Sequence, residues 1–229
     1  MESENWLDRT YKLIGVNNVE KLKNSTVAVF GLGGVGSYVL EALARCGIQN
    51  IIIIDKDIVD ITNINRQLIA THSTIGKAKV EVSKERILDI NPNANVVSIN
   101  AFVSKDNIVQ MLGGKHIDYI IDAIDTVSSK LSIIEYAYNN NIKIISCMGT
   151  GNKIDASKFE ITDINKTSVC PLAKVIRKEL RKLNIPKLKV LYSKEEPIKS
   201  TSSTPASISF VPSVAGLLIA GEVIRDLIS

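Results

Sequence analysis

The chain has 229 residues, of which 45% are hydrophobic and 23% charged, and its net charge is +4. This composition excludes a wholly disordered chain, and so small a charge does not by itself indicate nucleic-acid binding. Three cysteines without a CxxC pair argue against a disulfide framework and a cysteine-rich zinc site, and they favour a reducing compartment, the cytoplasm. No apolar run approaches the roughly 20 residues of a membrane span, so we expect no membrane association.

The first two thirds of the chain alternate between strand and helix patterns. Residues 1–24 predict an N-terminal helical lead-in, punctuated by Gly15. Strands are predicted at 26–30, 51–54, 96–99, 119–122 and 142–146, and helices at 37–46, 77–90, 106–112 and 127–139. This order predicts an α/β fold with a doubly wound, mainly parallel, Rossmann-like sheet that helices cover on both faces.

After Gly151 the alternation becomes irregular. Strands are predicted at 159–163 and 188–193, helices at 171–183 and 212–228, and a polar loop at 199–205. No repeat or clear linker divides the chain. We therefore predict one domain over 1–229, made of the lead-in 1–24, a nucleotide-binding core 25–150 and a C-terminal elaboration 151–229.

A glycine-rich loop joins the first strand to the first helix of the core. It contains Gly31, Gly33, Gly34 and Gly36, and glycines let backbone N–H groups approach a phosphate at a helix N-terminus. Asp55 closes the next strand, where a carboxylate can bind ribose hydroxyls. This order predicts a nucleotide site but does not separate NAD from ATP.

The stretch after the second strand is polar and cationic. An arginine and a lysine near a nucleotide favour a triphosphate over a dinucleotide, because the triphosphate carries more negative charge. Asp57 could equally only cap a turn. The candidates in this stretch are Asp57, Asn63, Arg66, Gln67 and Lys79.

Two aspartates lie at and just beyond the end of the fourth predicted strand. Asp125 lies where ligands bind in open α/β sheets, at the carboxyl end of a parallel strand. Asp122 is a further nucleotide-site candidate, although it could be a turn residue. Lys130 could reach the same site, but we expect a surface lysine there.

Five motifs of this region resemble those of the adenylating enzymes of the ubiquitin-activating superfamily, over about residues 5–150. They read Gly-x-Gly-Gly-x-Gly, Asp-x-Asp-x-Val, Asn-x-Asn-Arg-Gln, Gly-Lys-x-Lys and Asp-Ala-Ile-Asp. Members of that superfamily activate a carboxylate by transferring AMP from ATP. The resemblance implies that Asp55 holds the ribose, Arg66 and Lys79 the phosphates and Asp125 a Mg²⁺ ion, while Asn63 and Gln67 shape the pocket. Arg9 resembles an arginine that a partner subunit contributes to the ATP site, which implies a homodimer.

The C-terminal half resembles a narrower family, the tRNA threonylcarbamoyladenosine dehydratases. The matching segments are 149–155, 163–167, 171–181, 192–197 and 211–216. The resemblance implies ATP-dependent dehydration of a modified adenosine in the anticodon loop of tRNA through a carboxyl-adenylate, and it leaves a sulfur-relay protein partner open. Cys170 departs from the family, which usually has Asp at this position.

A concentration of positive charge independently favours an RNA substrate. Residues 170–200 contain nine Lys or Arg against three Glu, and the predicted helix carries its cations on one face. The RNA-binding candidates are Lys174, Arg177, Lys178, Arg181 and Lys182. The polar loop 199–205 is expected to order over the site when RNA docks.

Two alternatives from other classes remain. An adenylating activator of a sulfur-carrier or ubiquitin-like protein would use Cys170 as acceptor, although the paired CxxC motifs of sulfur-carrier activators are missing. A nucleotide-binding regulatory module would perform no chemistry. Loss of all turnover in Cys170→Ser would favour the first, and no ATP–pyrophosphate exchange with any modified tRNA would favour the second.

Overall fold

A computed structural model describes residues 5–199 and 205–229. Most of the polar loop, and with it the prediction that this loop orders over the site, lies outside the described residues. In the part that is described, no helix is both long and apolar enough to cross a membrane.

One seven-stranded sheet runs through the molecule in the order β3-β2-β1-β4-β5-β7-β6. Only β6 is antiparallel to its neighbour, and the mainly parallel, doubly wound prediction is therefore confirmed. β6 and β7 come from the C-terminal elaboration and extend the sheet of the core. The strands are β1 Thr26–Phe30, β2 Asn50–Asp55, β3 Asn95–Asn100, β4 Tyr119–Asp122, β5 Lys143–Cys147, β6 Phe159–Asp163 and β7 Lys189–Ser193.

Eight α-helices surround this sheet in the described residues. The N-terminal lead-in, predicted as one helix, is two, because Gly15 adopts a positive φ of 82° between them. The helices are α1 Asp8–Ile14, α2 Val16–Asn24, α3 Gly36–Arg45, α4 Lys79–Ile90, α5 Ile108–Leu112, α6 Val127–Asn139, α7 Pro171–Lys182 and α8 Phe210–Ile228.

The two faces of the sheet carry separate hydrophobic cores. Side chains alternate along a strand, so Val27 and Val29 of β1 enter one core while Ala28 and Phe30 enter the other. Helices α3, α4 and α8 cover the first face, and α5 and α6 cover the second. A third cluster packs α7 against β7 and α6.

Helix α8 is anchored at both ends. Near its start, Gly216 packs so closely on α3 that a Cβ there would lie 2.4 Å from the carbonyl oxygen of Val35. Near its end, Asp226 accepts hydrogen bonds of 2.6 Å from Tyr119 of β4 and Lys189 of β7. Burial and the Asp226 contact raise the pKa of Tyr119, which therefore stays a donor. The helix thus fastens the C-terminal elaboration to the core.

Candidate active site

The strand order creates a crevice between β1 and β4. The chain leaves β1 towards β2 on one side and leaves β4 towards β5 on the other, so the segments after the two strands diverge. Ligands bind at such a switch point, outside the carboxyl ends of the strands. The glycine-rich loop after β1 and the segment 123–125 after β4 form the two walls of this crevice.

The loop after β1 requires glycine at its two ends. Gly31 has a φ of 87°, and a Cβ there would lie 2.8 Å from the carbonyl oxygen of Ala123. A Cβ on Gly36 would lie 1.7 Å from the carbonyl oxygen of Gly31, so no side chain fits. The loop folds back on itself, and its N–H groups stand at the N-terminus of α3. Gly33 and Gly34 between these ends are less crowded, since added Cβ atoms would lie 3.7 Å from Gln67 and 3.1 Å from Pro212.

Asp55 joins the end of β2 to this loop. Its Oδ2 accepts the N–H of Leu32 at 2.6 Å, and its Oδ1 accepts the N–H of Asp57 at 2.8 Å. The carboxylate is half-buried. Asp55 therefore lies beside the glycine loop, where its carboxylate oxygens can accept further hydrogen bonds from hydroxyls.

Lys79 and Asp57 form an ion pair at the N-terminus of α4. The Nζ of Lys79 lies 3.1 Å from Oδ2 of Asp57, and the lysine side chain is 6% exposed while the aspartate is 50% exposed. The carbonyl of Asp57 also accepts the N–H of Lys79. The positive end of the helix and the ammonium together favour an anion here.

Three residues predicted for the nucleotide site lie in the polar stretch before α4, and their side chains make different contacts. The Cγ of Arg66 lies 3.4 Å from the position of a Cβ on Gly34, and its Nη1 donates to the carbonyl of Thr62. Gln67 is buried, and its Oε1 has no hydrogen-bond partner among the described residues. Asn63 accepts the N–H of Asp60 within a capping box, so its side chain already stabilises the turn.

The unpaired Gln67 oxygen is the observation that best fits a missing ligand. Buried polar atoms without a partner are rare in native proteins, because desolvation of a lone acceptor costs about 1–3 kcal/mol. The Gln67 amide nitrogen lies 3.7 Å from the position of a Cβ on Gly33, so this side chain borders the glycine loop. A ligand with donor groups, seated on that loop, would satisfy the oxygen.

The segment after β4 corrects two predictions. Asp125 is exposed beside the N-terminus of α6, and its role as a ligand-binding carboxylate stays a prediction. Asp122 has no exposed surface, so the prediction that it contacts the nucleotide is wrong: its carboxylate accepts from Ser146 and pairs with Lys130 at 2.8 Å. Lys130 is also fully buried, so the expected surface lysine is wrong as well. The sign of this burial in the sequence is that Lys130 stands among the residues that α6 buries.

The side chains at the crevice could hold Mg²⁺ only together with a phosphate ligand. Within residues 5–199 and 205–229, no group of three or more His, Cys, Asp or Glu side chains could hold a metal. Mg²⁺ usually binds one or two carboxylates and completes its shell with water and substrate phosphates. Asp125 can supply that single carboxylate.

Arg9 lies away from the crevice of its own subunit. Leu7, at the start of α1, lies 3.0 Å from the position of a Cβ on Gly47, and Gly47 follows the C-terminal end of α3. The glycine loop is at the other end of α3. Arg9 is exposed on α1. It therefore faces solvent at the end of the sheet where the strands begin, opposite the end that carries the crevice.

The cations of helix α7 differ in their exposure and in their contacts. Lys174, Lys178 and Arg181 are exposed and recur at one-turn spacing. Lys182 is exposed but pairs with Glu179 at 2.8 Å. Arg177 is half-buried, so its assignment to a free basic face is wrong.

Arg177 is held by the turn that precedes α7. Its Nη1 donates to the carbonyl of Ile164 at 3.0 Å and to the hydroxyl and carbonyl of Thr167 at 2.6 and 3.2 Å. The guanidinium therefore fastens this turn to the helix.

The side chains of Cys147 and Cys170 are buried in the packed interior. Cys170 is buried where α7 begins, and no described hydrogen bond joins it to a histidine. Burial raises the pKa of the Cys147 thiol to about 12. The environment of Cys147 therefore does not activate its thiol at neutral pH.

Comparison with known proteins agrees with this geometry. The ThiF family matches residues 7–229. A tRNA threonylcarbamoyladenosine dehydratase of Bacillus subtilis is 44% identical, over 94% of this chain and 91% of that protein. Crystal structures of the Escherichia coli tRNA N6-threonylcarbamoyladenosine dehydratase in complex with AMP and with ATP are 33% identical, with TM-scores of 0.92 and 0.90, and each alignment covers 99% of this chain and 96% of the other.

Proposed function

Because the chain belongs to the ThiF family, and within it to the tRNA threonylcarbamoyladenosine dehydratases, we propose how its own residues carry out that reaction. The protein is an ATP-dependent tRNA-modifying enzyme, and the reaction is the dehydration of threonylcarbamoyladenosine. The threonyl carboxylate attacks the α-phosphate of ATP, and pyrophosphate leaves. The carbamoyl group of the same nucleoside then attacks the acyl-adenylate, a ring closes, and AMP leaves, with net loss of one water.

The glycine loop and Asp55 bind the nucleotide. The loop N–H groups donate to phosphate oxygens, and Asp55 accepts from the ribose hydroxyls. The unpaired Oε1 of Gln67 supports this placement, since the Gln67 side chain lies beside the loop. Asn63 contributes by holding the turn that presents Gln67.

Two cations of the stretch after β2, Lys79 and Arg66, bind the phosphates and offset the charge that develops during adenylation. Lys79 is already held at the N-terminus of α4 by Asp57. Arg66 can exchange its neutral carbonyl and amide acceptors for phosphate oxygens, which form stronger charge-assisted bonds. Asp125 would hold Mg²⁺, which supplies further charge neutralisation when bound.

A homodimer would complete each site. Arg9 lies at the edge of the sheet opposite its own crevice, so only the Arg9 of a second subunit could reach the nucleotide. Exposed apolar side chains on the same lead-in, Trp6, Leu13 and Val16, are 50%, 83% and 62% exposed and would be covered in such a dimer.

The exposed cations of α7 are proposed to bind the phosphate backbone of tRNA. Lys174, Lys178 and Arg181 form no described ion pair and can exchange counterions for phosphates. We place the enzyme in the cytoplasm, where its three free cysteines would stay reduced. The single-domain organisation remains a prediction, which the continuous sheet from β1 to β7 supports.

The observation that carries this proposal is that Asp57 and Asp55 connect Lys79 to the glycine loop, while Gly31 of the same loop lies against Ala123, at the start of the segment of Asp125. The test incubates the protein with ATP, Mg²⁺ and tRNA carrying threonylcarbamoyladenosine, followed by nucleoside mass analysis. We expect a product lighter by one water, and no product with Lys79→Ala. An unchanged nucleoside, with ATP still bound, would favour the regulatory module, and loss of turnover in Cys170→Ser would favour a thioester acceptor.

A further inference from the structure

The segment Ala123–Asp125 forms one wall of the crevice and carries the aspartate proposed to hold Mg²⁺. It follows β4 without regular secondary structure before α6 begins. The N–H of Ala123 donates to the carbonyl of Phe30 at 2.8 Å, which fixes the start of the segment to β1. The position of Asp125 therefore depends on what holds the next residue, Ile124.

A buried ion pair holds both polar groups of the Ile124 backbone. The N–H of Ile124 donates to Oδ1 of Asp122 at 3.2 Å, and its carbonyl accepts from Nζ of Lys130 at 2.8 Å. The same Nζ lies 2.8 Å from Oδ2 of Asp122, and both side chains have no exposed surface. The hydroxyl of Ser146 donates to the same carboxylate oxygen and ties it to β5.

Keeping this ion pair buried costs folding stability. Burying two charges carries a desolvation penalty that their mutual attraction offsets only in good geometry, and apolar residues of similar size often stabilise a fold as well. Neither charge can touch a ligand in the crevice, since both are fully buried. What the pair does accomplish is to fix both backbone groups of Ile124, immediately before Asp125.

We propose that Lys130 and Asp122 are positioning residues, which set the Asp125 carboxylate for the metal that accompanies ATP. The inference deepens the proposed function and rests on its assignment of Asp125. Partners that orient a metal-binding side chain typically change metal affinity about 10–100-fold when they are removed. Weakening this pair should therefore lower Mg²⁺ affinity while the glycine loop continues to bind the nucleotide itself.

The test variant is Lys130→Met together with Asp122→Asn. It removes both charges at once, so no unpaired buried charge remains, and the amide introduced by Asp122→Asn still offers an oxygen to the N–H of Ile124. Ser129→Ala is the matched control, because Ser129 is also buried on α6 but donates to the carbonyl of Val103, away from the segment. Ser146→Ala is a milder variant that loosens Asp122 and keeps both charges.

ATP binding is titrated by calorimetry with and without Mg²⁺, and amide hydrogen exchange is measured at Ile124. For the double variant we expect metal-free ATP affinity within about twofold of wild type, a roughly 10–100-fold higher half-saturating Mg²⁺ concentration and faster exchange of the Ile124 amide. Ser146→Ala should show a smaller shift in the same direction, and Ser129→Ala none.

A folded double variant with unchanged Mg²⁺ dependence would overturn the inference. Should the double variant not fold, an unchanged Mg²⁺ dependence in Ser146→Ala would overturn it instead. If wild-type protein bound ATP without any Mg²⁺ dependence, the assignment of Asp125 in the proposed function would fail, and the inference with it. The wild-type and variant titrations therefore separate the two failures.

Discussion

Replacing Lys174, Lys178 and Arg181 by Ala should weaken tRNA binding in a salt-dependent way. All three are exposed on one side of α7 and form no described ion pair, so each is available for one phosphate contact. Each lost contact reduces the slope of log affinity against log salt by about 0.7–0.9, so three contacts reduce it by about 2–3. The free energy of unfolding should change by less than about 0.5 kcal/mol, because exposed side chains are being shortened.

Binding is measured by fluorescence anisotropy of labelled tRNA over a salt series, beside thermal unfolding of each variant. The control for loss of positive charge elsewhere is Lys115→Ala with Lys143→Ala, which removes two charges where the triple variant removes three. Both lysines are exposed beside the N-terminal ends of strands, away from the crevice. Arg177→Ala is the structural control, because losing its charged hydrogen bonds to Ile164 and Thr167 should cost about 1.5–3 kcal/mol of stability.

Two results would refute this reasoning. An unchanged salt slope in the triple variant would make α7 an ordinary solvated helix, and the RNA surface would lie elsewhere. A slope in Arg177→Ala that is shallower by about 0.7–0.9, with no loss of stability, would mean that its guanidinium contacts RNA rather than the preceding turn.

Other changes test the nucleotide site, the dimer and the docking of α8. Mixing Arg9→Ala and Lys79→Ala subunits should restore part of the turnover, because one site per dimer would be whole; a monomer by light scattering would contradict this. Gly36→Ala should abolish ATP binding measured by calorimetry, since its Cβ would collide with the loop backbone. The Lys189 contact lowers the pKa of Glu222, so its stabilisation is present above the unfolded value of 4.5 and is lost as pH falls through the folded value. In acid denaturation curves, Glu222→Gln should therefore be less stable near neutral pH and less sensitive to acid than wild type.

The sheet and the glycine loop were readable from sequence because their signals are local. The buried strands β1, β2 and β4 are continuous apolar runs, and a parallel strand covered on both faces needs such a run. Gly31 and Gly36 are required by contacts inside one short loop and with the adjacent strand end. Pattern and spacing are sufficient where a constraint acts between near neighbours in sequence.

Lys130 and Arg177 were misread because their environments come from distant segments. Lys130 pairs with Asp122 of β4, and the carboxylate of Asp122 in turn accepts from Ser146 of β5, a strand that follows in sequence. Arg177 falls on the polar side of an amphipathic helix, and the turn 164–167 covers that position. A helical pattern predicts which side faces the core, but it does not predict which loop crosses the other side.

The contact of α8 with the glycine loop has a consequence for synthesis. Pro212 lies against Gly34, and Gly216 packs on Val35, so the last helix of the chain supports the loop near the start of the core. Because domains generally fold as units during synthesis, the loop receives this support only after α8 has left the ribosome. We therefore expect a nascent or truncated chain that lacks α8 to bind ATP weakly.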